Sequence, residues 1–135
     1  MTMNEKKLMG IRIIVHRGTN QIGGCVTEYE CRGFHLFVDY GEQLPGYEHT
    51  EMEIEGLTKG DVSNSALLIT HYHGDHIGKV SELSSEIPVY MGKTGCEICQ
   101  EFELHMAHIP GEEGKRHRLM ADRVAEFKHF EPGHT

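Results

Sequence analysis

Residues 66–78 read ALLITHYHGDHIG, an apolar run of strand length followed at once by three histidines and an aspartate. The run from Ala66 to Thr70 shows no polar alternation, as expected of a strand covered on both faces. On an extended segment residues two apart face the same way, so His71 and His73 can set two imidazoles on one metal ion while Tyr72 points away. Gly74 permits a sharp turn, after which Asp75 and His76 lead into the next helix and suit a second ion. Imidazole and carboxylate donors favour Zn²⁺, Mn²⁺ or Fe, and the lack of thiolate marks a catalytic rather than a structural site. At this chain's own frequencies His-x-His-x-Asp-His arises by chance roughly two times in a thousand, so a merely solvated loop is the weaker reading.

The flanking sequence agrees with that placement. Beyond the cluster, Ile77, Val80, Leu83 and Ser84 fall at helical spacing, and IPVYMG (87–92) reads as the next strand. Strand, helix, strand predicts a parallel pair, and α/β sheets place ligands at the carboxyl ends of such strands. Towards the N-terminus, IRIIV (11–15) and CVTEYECRGFHLFVDYG (25–41) predict strands, the second broken by a hairpin turn over residues 30–33. Residues 42–64 predict a long loop with one short helical turn. Thr94 to Glu97 fits a capping box, and Ile98, Cys99, Phe102, Met106 and Ile109 then line one helix face ended by Pro110 and Gly111. The mixed-charge stretch 112–123 predicts a solvated helix or loop. Cys96 and Cys99 lack a second Cys or His pair and read as two buried thiols, not a zinc knuckle.

At 135 residues with 38% apolar and 25% charged side chains, the chain suits one domain burying about two-thirds of its unfolded surface. No stretch approaches the ~20 apolar residues of a membrane span. LMGIRIIV, residues 8–15, is too short for a secretory core, carries Arg12, and precedes no small-residue cleavage site. The four cysteines, Cys25, Cys31, Cys96 and Cys99, therefore read as reduced thiols and the location as cytoplasmic. A net charge of -8 is the wrong sign for bulk electrostatic binding of nucleic acid, so an anionic substrate would need local cations. Of the other histidines, His16 and His35 read as packed or edge strand residues and His49 as loop surface.

At His71, His73, Asp75 and His76 the chain resembles the metallo-β-lactamase fold hydrolases, whose signature these residues spell. Upstream, GTNQIGGCVTEYECRGFHLFVDYGEQLPG (18–46) is similar to the opening strands of the ribonuclease J and beta-CASP branch, with Asp39 at that family's acidic position. The resemblance covers roughly residues 11–92. It implies an α/β chain forming the N-terminal half of an αββα sandwich, an incomplete metallo-β-lactamase-like domain over residues 1–135 where the whole usually runs to about 200. It further implies that His71 and His73 bind one metal ion and Asp75 and His76 the second, that Asp75 also orients the attacking water as the catalytic residue, and that Asp39 supports the loop by hydrogen bonding. The family completes its site with a later His, a bridging Asp and a final His. None is recognisable here, and among His105, His108, His117, His129 and His134 only His134 is a candidate substitute.

For the complete protein the resemblance implies a dinuclear hydrolase with two zinc ions, Mn or Fe also fitting, cleaving RNA or another phosphodiester. A thioesterase, glyoxalase or lactonase on the same fold is the alternative. A reading of another class is a non-catalytic fragment or metal-binding interaction module, whose uncovered sheet face would self-associate. The 135-residue chain alone is expected to be inactive, because two ligands per ion are too few.

Overall fold

The computed structural model describes residues 10–133; His134, the candidate substitute ligand, lies outside them, as do residues 8 and 9 of the N-terminal apolar run. Six strands form one sheet in sequence order: β1 (Arg12–Arg17), β2 (Val26–Cys31), β3 (Phe34–Val38), β4 (Ser65–Ile69), β5 (Val89–Gly92) and β6 (Lys128–Phe130). The first three pair antiparallel and the last four pair parallel, so β3 belongs to both halves. Arg32 and Gly33 turn β2 into β3 with φ of 52° and 82°, the two positive values that match a tight hairpin to strand twist. The turn is narrower than the predicted break, since Glu30 and Cys31 stay paired with His35 and Phe34. Residues 42–64 are a loop, as expected, and Ile54 and Leu57 anchor it in the core.

One sheet face is the core. Val26, Phe37, Leu67, Ile69, Val89 and Met91 are buried there with Cys96 and Cys99 of helix α2 (Lys93–Met106) and Met120 and Val124 of α3 (Glu112–Val124). The opposite face is open. Ile13, Tyr29, Leu36 and Ala66 share one row across β1 to β4, and Ile13 is 60% and Leu36 39% exposed. The run 66–70 is thus packed on one face only, with Ala66 and Leu68 half-buried.

The helices depart from their predicted bounds for local reasons. After β4 the chain makes one turn of helix, α1 (Gly74–Ile77), then a 3₁₀ turn at Val80–Glu82. Lys79 N–H donates to Tyr40 O at 3.3 Å, outside any helical ladder, which diverts the chain, although Ile77, Val80 and Leu83 are buried as their spacing predicted. Helix α2 starts on Gly92 with no side-chain cap, so Thr94 lies inside the first turn and the capping box does not form. Its buried stripe runs through Cys96 and Cys99, leaving Ile98 and Phe102 exposed. Phe102 meets the edge of His117, whose Nδ1 lies 2.5 Å from Glu103. The stretch 112–123 is an amphipathic helix, and its buried Arg123 donates to Ile87 O at 2.8 Å and Ser84 O at 3.2 Å, tying α3 to the turn before β5. Burial pushes the Cys96 and Cys99 thiols up to about 11 and about 12, which leaves them inert. Among the described residues no helix is long and apolar enough to cross a membrane.

The antiparallel half closes around a charge. Glu28 of β2, 4% exposed, accepts hydrogen bonds from His16 Nε2 of β1 at 2.8 Å and His35 Nδ1 of β3 at 2.6 Å. Burial would raise its pKa, but the bonds and charges of His16 and His35 outweigh it and hold the carboxyl below its ordinary value. A depressed carboxylate contributes stability above its unfolded pKa, 4.5 here, and loses it as pH falls through the folded value. Glu28→Gln is expected to cost about 1–3 kcal/mol at pH 7 in urea unfolding, with the deficit shrinking as pH falls below 4.5 and through the lowered folded value. A deficit of equal size at pH 3 would show that shape, not charge, is what Glu28 supplies.

Candidate metal centre

The histidine loop is built from the end of β3 as much as from β4. Asp39 N–H donates to Leu68 O at 2.9 Å, the last rung between these parallel strands. Its φ of 64° lies in the left-handed region that Asp tolerates better than most residues. That conformation turns the carboxylate towards β4, where it accepts three hydrogen bonds. Thr70 N–H donates to Oδ1 at 2.8 Å, Thr70 Oγ1–H to Oδ2 at 2.8 Å, and His76 Nδ1–H to Oδ2 at 2.7 Å. His73 O then accepts from His76 N–H at 2.8 Å and Ile77 N–H at 3.0 Å, and the single turn of α1 swings His76 back beside the strand end.

The four residues singled out from the sequence meet there. The rings of His71 and His76 are 4.0 Å apart between centroids, those of His71 and His73 4.7 Å, and His76 Nε2 lies 3.4 Å from Asp75 Oδ2. His71, Asp75 and His76 are half-buried and His73 is exposed, so the group opens to solvent. Among the described residues no three or more His, Cys, Asp or Glu side chains are arranged to hold one ion. The donor chemistry fits adjoining pairs: His71 with His73, and Asp75 with His76, whose Nδ1 is taken by Asp39 and whose Nε2 faces Asp75 Oδ2 at 3.4 Å, so that one ion would be shared by those two atoms. A cavity lined by Tyr40, Glu51, Leu57, Lys59 and Glu82 includes none of the four. It is not their substrate pocket.

The supports on the other side of the loop escaped sequence reasoning. Asp75 O accepts from Gly24 N–H at 2.9 Å, His76 O from Tyr40 N–H at 2.9 Å, and Gly74 O from Glu42 N–H at 3.0 Å. This close approach excludes side chains. A Cβ on Gly41 would lie 1.9 Å from Asp75 O, and one on Gly23 2.9 Å from Asp75 Cβ. The available signal was glycine directly beside strand ends, Gly23-Gly24 before β2 and Gly41 after β3. Gly74, by contrast, has no left-handed φ, and a Cβ there would meet only Glu42 Oε2, at an ordinary 4.0 Å, so the turn it was expected to permit does not require glycine.

No family model matches the chain. Ribonuclease J of Mycobacterium tuberculosis H37Rv is 28% identical over 138 aligned residues, covering 93% of this chain and 24% of that protein. A UPF0173 metal-dependent hydrolase of Bacillus pumilus is 31% identical over 83 residues, 54% of this chain and 34% of that protein. The chain therefore spans about a quarter to a third of the length of these relatives. A crystal structure of a protein of unknown function from Enterococcus faecalis V583 superposes with a TM-score of 0.64 over 93% of this chain and 33% of that one, at 19% identity, a likeness of fold.

Gly41→Ala is expected to lower stability by about 1–3 kcal/mol, because backbone must move to admit the methyl, and to weaken Zn²⁺ binding by displacing Asp75 and His76. Gly74→Ala should leave both nearly unchanged. Urea unfolding and a zinc titration of the two variants check this, and equal behaviour would show that the close approach at Gly41 has no bearing on the loop.

Proposed function

We propose, from the premise that this chain is a metallo-β-lactamase-type sequence related to ribonuclease J, that it carries part of the dinuclear metal centre of a longer hydrolase that cleaves phosphodiesters such as RNA. The carrying observation is the meeting of His71, His73, Asp75 and His76 at the carboxyl end of β4 with a buried carboxylate, Asp39, behind them.

In this reading His71 and His73 hold one ion and Asp75 and His76 the other, zinc being the metal the donor set favours, with manganese or iron as alternatives. When bound, the ions would activate water and offset charge on the attacked centre. The chain's own residues set the geometry. Asp39 fixes His76 through Nδ1, and Asp75, whose Oδ2 faces His76 Nε2 at 3.4 Å, would orient the attacking water. The ribonuclease J relatives support phosphodiester chemistry, and the coarser name of the metal-dependent hydrolase relative supports hydrolysis alone. The net charge of -8 favours the second reading, a thioesterase, glyoxalase or lactonase, since RNA contacts would fall to local cations or to the rest of the protein. Self-association through the open sheet face follows if nothing else covers it.

The test compares this 135-residue chain with the whole protein, each supplied with Zn²⁺ or Mn²⁺, on a labelled RNA oligonucleotide, an activated phosphodiester, a thioester and a lactone. We expect metal-dependent phosphodiester cleavage by the whole protein, abolished by His73→Ala, and little or no turnover by the chain alone, where two donors per ion are too few. Turnover of thioester or lactone only would replace the nuclease reading. Robust turnover by the chain alone, lost in His73→Ala, would show that a further donor from this chain or a second copy completes the site.

A further inference from the structure

We infer that Thr70 is a positioning residue that fixes the ring tautomer of His71, so that one buried carboxylate, Asp39, presets two imidazoles for metal binding: His76 directly and His71 through the Thr70 hydroxyl. The metal in this statement rests on the function proposed above; the tautomer does not.

The number of protons available around Asp39 decides the tautomer. Asp39 as a carboxylate has acceptors only. Its Oδ1 is occupied by Thr70 N–H at 2.8 Å and its Oδ2 by His76 Nδ1 at 2.7 Å and Thr70 Oγ1 at 2.8 Å. The Thr70 hydroxyl has a single proton, and the Asp39 contact uses it. Thr70 Oγ1 also lies 2.9 Å from His71 Nδ1, and towards that ring it has only lone pairs left. His71 must therefore donate from Nδ1–H, which leaves the lone pair on Nε2. In the other tautomer two lone pairs would face each other across 2.9 Å, or Thr70 would have to withdraw its proton from Asp39 and create the same conflict there. Asp39 imposes the same protonation on His76 without an intermediary. Nδ1 thus carries the proton in both rings before any ion arrives, with His71 Nε2 left as a lone pair and His76 Nε2 facing Asp75 Oδ2 at 3.4 Å, so a metal at His71 need not shift a proton between ring nitrogens in order to bind.

Thr70 is exposed at the end of β4, so its side chain can be changed without opening the core. Thr70→Val keeps the branched shape and removes the hydroxyl, and Thr70→Ser keeps the hydroxyl. Long-range ¹H–¹⁵N correlation spectra of the histidine-labelled, metal-free chain at pH 8 read the tautomers directly. The wild type is expected to show Nδ1–H at both His71 and His76. Thr70→Val should move His71 to the Nε2–H form or a mixture while His76 keeps Nδ1–H, and Thr70→Ser should restore the wild-type pattern. Competition titrations with Zn²⁺ should show affinity about 10 to 100-fold weaker in Thr70→Val and near wild type in Thr70→Ser. An Nε2–H His71 in the wild type, or an Nδ1–H His71 persisting in Thr70→Val, overturns the inference. Both Nδ1–H tautomers in the chain, together with a whole protein that binds no zinc, would uphold the Thr70 relay and sink the metal-centre reading instead.

Discussion

Everything at the end of β4 hangs on the Asp39 carboxylate. Three donors converge on two oxygens in a site that is 4% exposed, and hydrogen bonds to a charged acceptor contribute about 1.5–3 kcal/mol each. That is ample to offset the roughly 1–2 kcal/mol of a non-glycine residue held left-handed. The strain and the site therefore come as one unit: without the turn at Asp39 the carboxylate would follow the strand direction and miss both Thr70 and His76. The parallel pairing of β3 with β4, with Val38 opposite Leu68, sets the register from which the Asp39 carboxylate reaches Thr70. A sheet that changes from antiparallel to parallel at β3 is thus what places an acid from one strand beneath a loop from the next.

The two faces of that sheet have opposite fates. The face under α2 and α3 is closed by close-packed aliphatic side chains and by two polar clamps, the Glu28 pair of histidines and Arg123 on the carbonyls of Ser84 and Ile87. The other face presents Ile13, Val15, Tyr29, Phe34 and Leu36 to solvent, a contiguous apolar row of the kind that marks an association surface. The histidine loop sits at the carboxyl end of β4, between these faces, held by backbone from the loops after β1 and β3 and by side chains from Asp39 and Thr70. That placement explains why its rigidity is a property of hydrogen bonds and close glycine contacts, since only Ile77 of α1 reaches the core.

What the sequence disclosed and what it hid divide by the range of the forces involved. The strands around Phe37 and Leu67, the parallel pair β4 and β5, and the convergence of His71, His73, Asp75 and His76 are written in local periodicity and spacing, which the backbone obeys directly. The burial of Cys96 and Cys99 followed the same logic. The turn that replaced a full helix after Ile77 could not be read, because it depends on Lys79 N–H reaching Tyr40 O, 39 positions away in the chain. β6 is three residues long and carries no period of its own. Gly41 and Thr70 were missed for a further reason: each acts on a partner, Asp75 or His71, whose position is only known once β3 and β4 are paired.

The most direct test of the Asp39 account is Asp39→Asn, since Asn accepts the same left-handed φ and removes the charge with almost no change of shape. Zinc affinity by competition titration, measured beside circular dichroism and urea unfolding, gives the answer. If the carboxylate organises the centre, the variant stays folded, loses about 10 to 100-fold in zinc affinity and is less stable by about 1–3 kcal/mol. A folded Asp39→Asn chain that binds zinc as tightly as the wild type would contradict the account, because the histidines would then be held by something other than the acid behind them.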